Sequence, residues 1–503
     1  MLVKVNTGNI LGVDANPVVV EVDVASGGMP GCNLVGLPST SVNEGKVRVK
    51  AAIANAGFKL ESRRITINLA PAEMRKDTAA FDLPIALGIL GAFELLPKAS
   101  LRGIFAVGEL ALDGRLRAIR GTVPIADLAR RLAAQELIVP RDSAREAAVV
   151  TGLKVRAAHH LQEVVSHLRG ETLLPLSYPL STAEQETIPD VDLADVKGQQ
   201  VPKRALEIAA AGGHNLLFVG PPGAGKSMLA RRLPTILPQL ELEEALAVTK
   251  IFSVAGLLPS AGLIRSRPFR APHHTVSQVG LVGGGPNLRP GELTLAHHGV
   301  LFLDELLEFQ RGTLEALRQP LEDRFITITR ARGTVTFPAN VQLVSAMNPC
   351  PCGHHGDPRR SCVCSQAAIE RYWSRLSGPL LDRIDLHVEV GALTFAEMTR
   401  AADEEYSRDV RTRVQRARRV QLARPSTRRC NARLTAEQVR RTCGLDEQTR
   451  RLVETAVDRL GLSARAVGRL VKVSRTIADL AGEEAIQAHH MAEALAYRQL
   501  TCA

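Results

Sequence analysis

Residues Gly220, Pro221, Pro222, Gly223, Ala224, Gly225, Lys226 and Ser227 follow the apolar run Leu216-Leu-Phe-Val219 and precede a helical pattern that opens at Met228. Glycine lets the backbone curl so that its N–H groups converge on one anion, and a helix N-terminus adds its positive end. Lys226 would then meet the β- and γ-oxygens of a nucleoside triphosphate, and Ser227 would ligate Mg²⁺. The motif is complete and carries a strand before it and a helix after it. The spacing therefore predicts a nucleotide site contacted by residues from Gly220 through Met228.

A second apolar run, Val300-Leu-Phe-Leu303, ends on Asp304 and Glu305. Open parallel sheets bind ligands at the carboxyl ends of their strands, which makes Asp304 the candidate for the Mg²⁺ shell. Glu305 is the candidate base that polarises an attacking water. An acidic pair at a strand end is common; following a phosphate loop gives it weight. Val341 to Met347 is another buried run, and Asn348 after it is a candidate contact to the γ-phosphate or to the water beside it. Between these runs, residues 324–337 alternate polar and β-branched types and predict a β-hairpin with Arg330 and Arg332 at its tip.

The elements that must hold these residues belong to a chain of 503 residues, enough for about three domains. Hydrophobic residues make up 45% and aromatics only 3%, so the interior is aliphatic, as in α/β and helical domains. The longest apolar stretch, Leu83 to Phe93, lies between Asp82 and Glu94 and is too short to cross a bilayer. The N-terminus begins as a strand with no signal-peptide pattern, so a cytoplasmic protein without a membrane partner is expected. Net charge is +11, which favours a polyanionic partner such as DNA. Arginine crowds between Arg411 and Arg429 with almost no aromatic residue, leaving open a solvated helix face or direct DNA contact, without base stacking.

Eight cysteines are present, and Cys350, Cys352, Cys362 and Cys364 cluster on a Gly/Pro-rich stretch. In a reducing compartment such a cluster reads as a metal site, and four thiolates are the ligand set of structural Zn²⁺. The spacing is C-x-C rather than the commoner C-x₂-C. His354 or His355 is an alternative for one ligand. Cys32, Cys430, Cys443 and Cys502 stand alone and read as inert thiols.

The order of phosphate loop, insert, Asp-Glu strand, arginine-tipped hairpin and strand ending in Asn resembles AAA+ ATPases of the magnesium-chelatase and minichromosome-maintenance clade. End to end the chain resembles the ComM (YifB) family of Mg-chelatase-like ATPases. Besides those motifs, the likeness is carried by Asp195-Val-Lys-Gly-Gln199, Ala271-Pro-His-His274, Asn348-Pro-Cys-Pro-Cys-Gly353, Ser377-Gly-Pro-Leu-Leu-Asp-Arg-Ile-Asp385 and His490-Met-Ala-Glu-Ala-Leu-Ala-Tyr-Arg498. The resemblance implies an AAA+ core over residues 191–392, a basic helical connector over 393–430 and a helical lid over 431–503. It also implies a ring, usually a hexamer, with ATP bound at subunit boundaries. Arg383 would be the arginine finger, or else a salt-bridge partner of Asp382 or Asp385. Arg465 would be the second sensor, with Arg475 its rival.

Residues 1–170 resemble the Lon-protease-like (ribosomal S5 domain 2-like) α/β fold, on Lys76-Asp-Thr-Ala-Ala-Phe-Asp82 and Gly108-Glu-Leu-Ala-Leu-Asp-Gly114. Such peptidases need a serine activated by a lysine. Those positions fall here on Ala80 and Val123, which cannot do that chemistry, and the hydroxyls of Thr78, Ser39 and Ser41 lack a partnered lysine. A domain that binds DNA or shapes a ring is expected, not a protease, joined through a linker at residues 171–190. Two functions follow from the resemblance. One is an ATP-driven helicase or branch-migration motor on recombination intermediates, as in natural transformation. The other is a chelatase-type subunit that remodels a protein partner for metal insertion. Chelatase ATPase subunits are expected to resemble only the part from about Asp192 onward, which favours the motor.

Overall fold

The computed structural model describes residues 2–25, 27, 29–76, 78–179, 191–258, 262–285, 288–330, 333–357, 359–393, 404–425 and 427–498. The chain divides into two units. The first contains residues up to Thr187 together with Leu242–Ile264 and Thr327–Thr336, and the second contains the remainder. Two pieces that lie inside the ATPase segment in sequence therefore group with the N-terminal unit.

The first unit is built on a seven-stranded mixed sheet, in the order Gly31–Val35, Arg64–Ala70, Asp14–Val24, Leu2–Leu11, Ile104–Ala106, Glu136–Pro140, Lys154–Ala158. Val18, Val20, Val22 and Val24 are buried while Glu21 and Asp23 between them are not, the period-two pattern of a strand with one face on the core. The apolar run at Leu83 forms the helix Asp82–Ala92, every residue of which is buried. Among the described residues no helix is long and apolar enough to cross a membrane. Ala80 and Val123 are both buried. The helix Leu242–Ala255 closes this unit: Lys250 Nζ lies 2.7 Å from Asp127 Oδ2, and Ser253 Oγ accepts the Val123 N–H at 3.3 Å. The segment expected as a linker starts as part of this unit, because the Ser177 N–H donates to Val155 O at 2.9 Å and the Ala157 N–H to Pro175 O at 3.1 Å. Residues 180–190 lie outside the described residues.

The second unit holds a five-stranded sheet in the order Phe269–Arg270, Val300–Leu303, Gln342–Met347, Leu216–Val219, Leu386–Glu389. All neighbouring strands are parallel. Strands buried on both faces read as unbroken apolar runs, which Leu216–Val219 and Val300–Leu303 are. The helices Gln200–Gly212 and Lys226–Ile236 supply much of its aliphatic core.

The basic stretch forms the helix Ser407–Ala423, with Val410, Val414, Ala417 and Gln421 buried. Its arginines are largely engaged. Arg411 donates to Thr235 O at 2.7 Å, Arg413 pairs with Glu207 at 2.5 Å, Arg418 donates to Ala210 O at 2.7 Å, and Arg424 pairs with Asp479. Within the helix Arg408, Arg416 and Arg419 keep the exposed character that a solvated face or a DNA contact requires. The lid helices include Ala436–Thr442, Glu447–Leu460, Ala464–Ala481 and Ala488–Ala496; Ser463 caps the one that starts at Ala464, its hydroxyl accepting the Ala466 N–H.

Candidate functional site

Parallel strands release their chains at one edge of the sheet, and four of the five release chemistry there. The loop after Val219 is the phosphate loop. Gly223 and Gly225 within it have φ of 77° and 91°, a left-handed backbone that a Cβ would strain, and the helix begins at Lys226. Lys226 Nζ donates to Gly220 O at 2.6 Å, Pro221 O at 3.0 Å and Asn348 Oδ1 at 3.1 Å, so all three ammonium protons have acceptors. Burial pulls the Lys226 pKa down to about 8, against the attraction of the Asp304 and Glu305 carboxylates. Ser227 Oγ donates to Asp304 Oδ2 at 2.5 Å. Asp304 Oδ1 accepts the Glu305 N–H at 3.0 Å, and Glu305 itself sits at φ 51°. The loop after Arg270 brings His274 to the site, with Nδ1 3.1 Å from Glu305 Oε2. Met228 is 39% exposed in the first turn of the helix.

The structure thus gathers Gly220 through Met228 with Asp304, Glu305 and Asn348. Arg383 and Arg465 are elsewhere. Arg383 precedes the strand Leu386–Glu389, whose first residue pairs with Leu216. The Arg383 carbonyl accepts from Asn215 Nδ2 at 2.9 Å, so it lies at the amino-terminal edge of the sheet, opposite the phosphate loop. Four residues of strand, about 13 Å, separate the two edges. The Arg383 guanidinium ion-pairs with Glu322 and donates to Pro379 O at 2.7 Å. This pairing holds the Glu322 carboxyl below its usual range. The expected alternative partners, Asp382 and Asp385, are not its ion-pair partner; Asp385 is taken by Arg469 at 2.7 Å. Arg465, exposed, has Nη2 4.0 Å from Glu322 Oε1. Arg475 is 2% exposed, pairs with Asp479 at 2.9 Å and donates to the Glu483 and Glu484 carbonyls, leaving no fork to offer a nucleotide.

The Cys350, Cys352, Cys362 and Cys364 sulfurs lie within 4.8 Å of one another. Cys350 Sγ is 3.3 Å from Cys352 Sγ and 3.6 Å from Cys362 Sγ, and all four are free thiols. His354 turns to Asp357 at 3.4 Å, and neither it nor His355 joins the cluster. The hairpin forms from Phe325–Arg330 and Gly333–Pro338, tied by Thr329 and Thr334 hydroxyls 3.1 Å apart, and Arg330 is exposed at its end. Arg332 lies outside the described residues.

His274, beside Glu305, and Glu322, beside Arg383, are residues that the motifs do not reveal. In sequence His274 stands out only as part of Ala271-Pro-His-His274, and Glu322 sits in a short helix, Arg318–Asp323, with no chemical pattern around it.

A parallel sheet of this strand order, with a phosphate loop after one inner strand and an acidic pair after another, defines an AAA+ ATPase of the magnesium-chelatase class. Residues 192–398 match the family described as magnesium chelatase, subunit ChlI, and residues 404–498 match its C-terminal family. The chain is 46% identical over 495 residues to Competence protein ComM of Haemophilus influenzae, covering 97% of this chain and 96% of that one. It is 43% identical over 497 residues to the uncharacterized protein YifB of Escherichia coli, covering 99% and 97%. It therefore belongs to the ComM/YifB family of magnesium-chelatase-like AAA+ ATPases. A third relative, Lon protease 2 of Bacillus subtilis, is 28% identical over 190 residues, 35% of this chain and 33% of that one, in keeping with a Lon-like part. Residues 20–143 also match a family described as subunit ChlI of Mg-chelatase. This corrects the expectation that chelatase subunits resemble only the part from Asp192 onward, so possession of the N-terminal unit does not separate motor from chelatase.

Proposed function

We propose that this ATPase is a ring motor, usually a hexamer, that acts on DNA as a helicase or branch-migration enzyme, with the cytoplasm as its compartment. The observation that carries the reading is the placement of Arg330. The hairpin bearing it is inserted in the chain between the strand that ends in Asp304 and Glu305 and the strand that ends in Asn348. A displacement of either strand end during turnover is passed along the backbone to that hairpin. Arg330 at its end, together with Arg332, which the sequence pattern assigns to the same turn, would grip phosphates without reading sequence. Near-complete coverage of a relative named for competence supports DNA as the substrate.

In this reading Lys226 exchanges its carbonyl partners for β- and γ-phosphate oxygens while keeping Asn348. The Ser227 hydroxyl and the Asp304 carboxylate, already in contact, are hard oxygen donors that fit Mg²⁺. Bound there, the ion neutralises charge that builds on the phosphates. Glu305 takes the proton of the attacking water, and His274 orients that carboxylate between turnovers. Asn348 steadies the water or the γ-phosphate. Arg383, on the far edge of its own sheet, serves the pocket of a neighbouring subunit. Arg465, sharing Glu322 with it, is the second sensor. The four clustered thiols hold a structural Zn²⁺. A tetrahedron with Zn–S bonds of about 2.3 Å has sulfur–sulfur edges of about 3.8 Å. The observed 3.3 and 3.6 Å lie close to that.

Phosphate release measured with and without a forked DNA tests the motor. Stimulation by DNA supports it. Turnover indifferent to every DNA form, but raised by a metal-insertion partner protein, would establish the chelatase-type reading favoured by the family descriptions.

A further inference from the structure

The cysteine loop lies against the phosphate loop. Gly353, next after Cys352, has φ 85°, and a Cβ built on it would come 2.6 Å from Pro222 Cδ and 2.9 Å from Pro222 Cγ. Its backbone thus rests flat on the phosphate loop, where only glycine fits. At the other end of the same turn, Asn348 accepts from Lys226 Nζ at 3.1 Å. Pro349, next to it, is pinned by the Trp373 indole N–H, which donates to Pro349 O at 3.0 Å.

Besides the thiols, the loop is held by polar contacts and not by a core: the Arg359 guanidinium donates to Leu393 O at 3.1 Å, and Asp357 accepts the Arg359 N–H at 2.9 Å. Between Cys350 and Cys364 Gly353 alone is buried among the described residues, and Val363 is 86% exposed. The far end returns because Cys362 Sγ sits 3.6 Å from both Cys350 and Cys352, and the sulfurs also accept the His355 and Cys364 N–H groups at 3.3 and 3.4 Å. A segment without a core of its own needs a cross-link to keep one shape.

We propose that zinc held by these four thiols braces the nucleotide pocket: it presses Gly353 onto Pro222 and keeps Asn348 on Lys226. This rests on the reading of the cluster as a zinc site. Loss of the metal frees the loop, removes one acceptor of the buried ammonium and lets the phosphate loop leave its nucleotide-ready shape. ATP affinity falls although no thiol touches the nucleotide.

The test uses the full-length protein. Zinc per chain is measured by mass spectrometry after gel filtration, and binding of a fluorescent ATP analogue is titrated with magnesium present. The titration is repeated after zinc is extracted with a chelator, the chelator is dialysed away and magnesium is restored. It is also run on Cys362→Ser and Gly353→Val. Wild type is expected to carry one zinc. The extracted protein and Cys362→Ser should bind the analogue about tenfold or more weakly, the loss expected when a hydrogen bond to a charged group goes. Far-UV circular dichroism should be unchanged, and added zinc should restore wild-type binding to the extracted protein. Gly353→Val keeps the thiols, so it should retain zinc and still bind the analogue weakly; it decides the matter if Cys362→Ser does not fold. Wild type without zinc overturns the zinc reading itself. Zinc present, but analogue affinity unchanged both on extraction and in Gly353→Val, overturns the brace alone.

Discussion

Changing Arg383 to alanine separates a catalytic group from a structural one, because its two costs differ widely. In the folded chain Arg383 is 8% exposed, yet its ion-pair partner Glu322 is half exposed. Removing the guanidinium leaves a carboxylate that water can resolvate, so the lost pair is worth about 0–1 kcal/mol. Loss of the packed stem brings the total to about 1–2 kcal/mol, a shift in melting temperature and not an unfolded protein. An arginine finger is worth about 10³ to 10⁵ in rate, or about 4–7 kcal/mol. Arg383→Ala should therefore melt a few degrees early, bind ATP normally and lose at least a thousandfold in phosphate release, about the lower bound for a finger. The sheet adds a sharper expectation. Since Arg383 stands at the edge opposite its own phosphate loop, it cannot serve that pocket. A mixture of Arg383→Ala chains with Lys226→Ala chains, each inactive alone, should regain turnover, because the second chain lends its Arg383 to the intact pocket of the first. If Arg383→Ala alone keeps more than about a tenth of the rate, or the mixture is no better than its parts, the finger assignment is wrong.

Glu305→Gln keeps the shape of the side chain and removes its basicity. ATP binding should persist while turnover falls by about 10² to 10⁴, and normal hydrolysis by this variant would remove Glu305 from the role of base. If Arg330 holds a DNA phosphate, Arg330→Ala should flatten the dependence of log affinity on log salt by about 0.9 for each phosphate it no longer neutralises; an unchanged slope would take the hairpin off the DNA. His387, in the strand Leu386–Glu389, is buried, and burial pushes its pKa from 6.5 to about 3. As pH falls through that window the unfolded chain takes up a proton that the folded chain refuses. Stability present above pH 6.5 is then lost at up to about 1.4 kcal/mol per pH unit until pH reaches about 3. His387→Asn should show a shallower decline of the urea midpoint between neutral and mildly acidic pH. Parallel curves would mean that His387 titrates equally in both states.

Much of the fold is written in local pattern. Val18 to Val24 alternates and forms a half-buried strand, Val300–Leu303 is uniformly apolar and forms a strand buried throughout, and Ser463 caps the helix that begins at Ala464. The pocket can be read because a phosphate loop needs its residues contiguous, and because strand ends converge whenever a sheet is parallel. What escapes such reading depends on contacts far apart in the chain. Glu322 acquires meaning only through Arg383, and His274 only through Glu305. That Arg475 is buried against Asp479 and two carbonyls while Arg465 is exposed is something spacing does not reveal. The fate of the arginine-rich helix likewise depends on Glu207, Thr235 and Ala210, which lie far back along the chain. Nor does the sequence tell that Leu242–Ile264, lying between the two nucleotide motifs, folds with the N-terminal unit, since its pairing with Asp127 and Val123 is non-local.

The motor reading meets its most direct test on a four-way DNA junction labelled on one strand and incubated with the purified protein and ATP. Conversion of the junction to separated duplexes by the wild type, and none by Glu305→Gln or with a non-hydrolysable ATP analogue, is the expected result. A junction left intact while ATP is hydrolysed at full rate would contradict it.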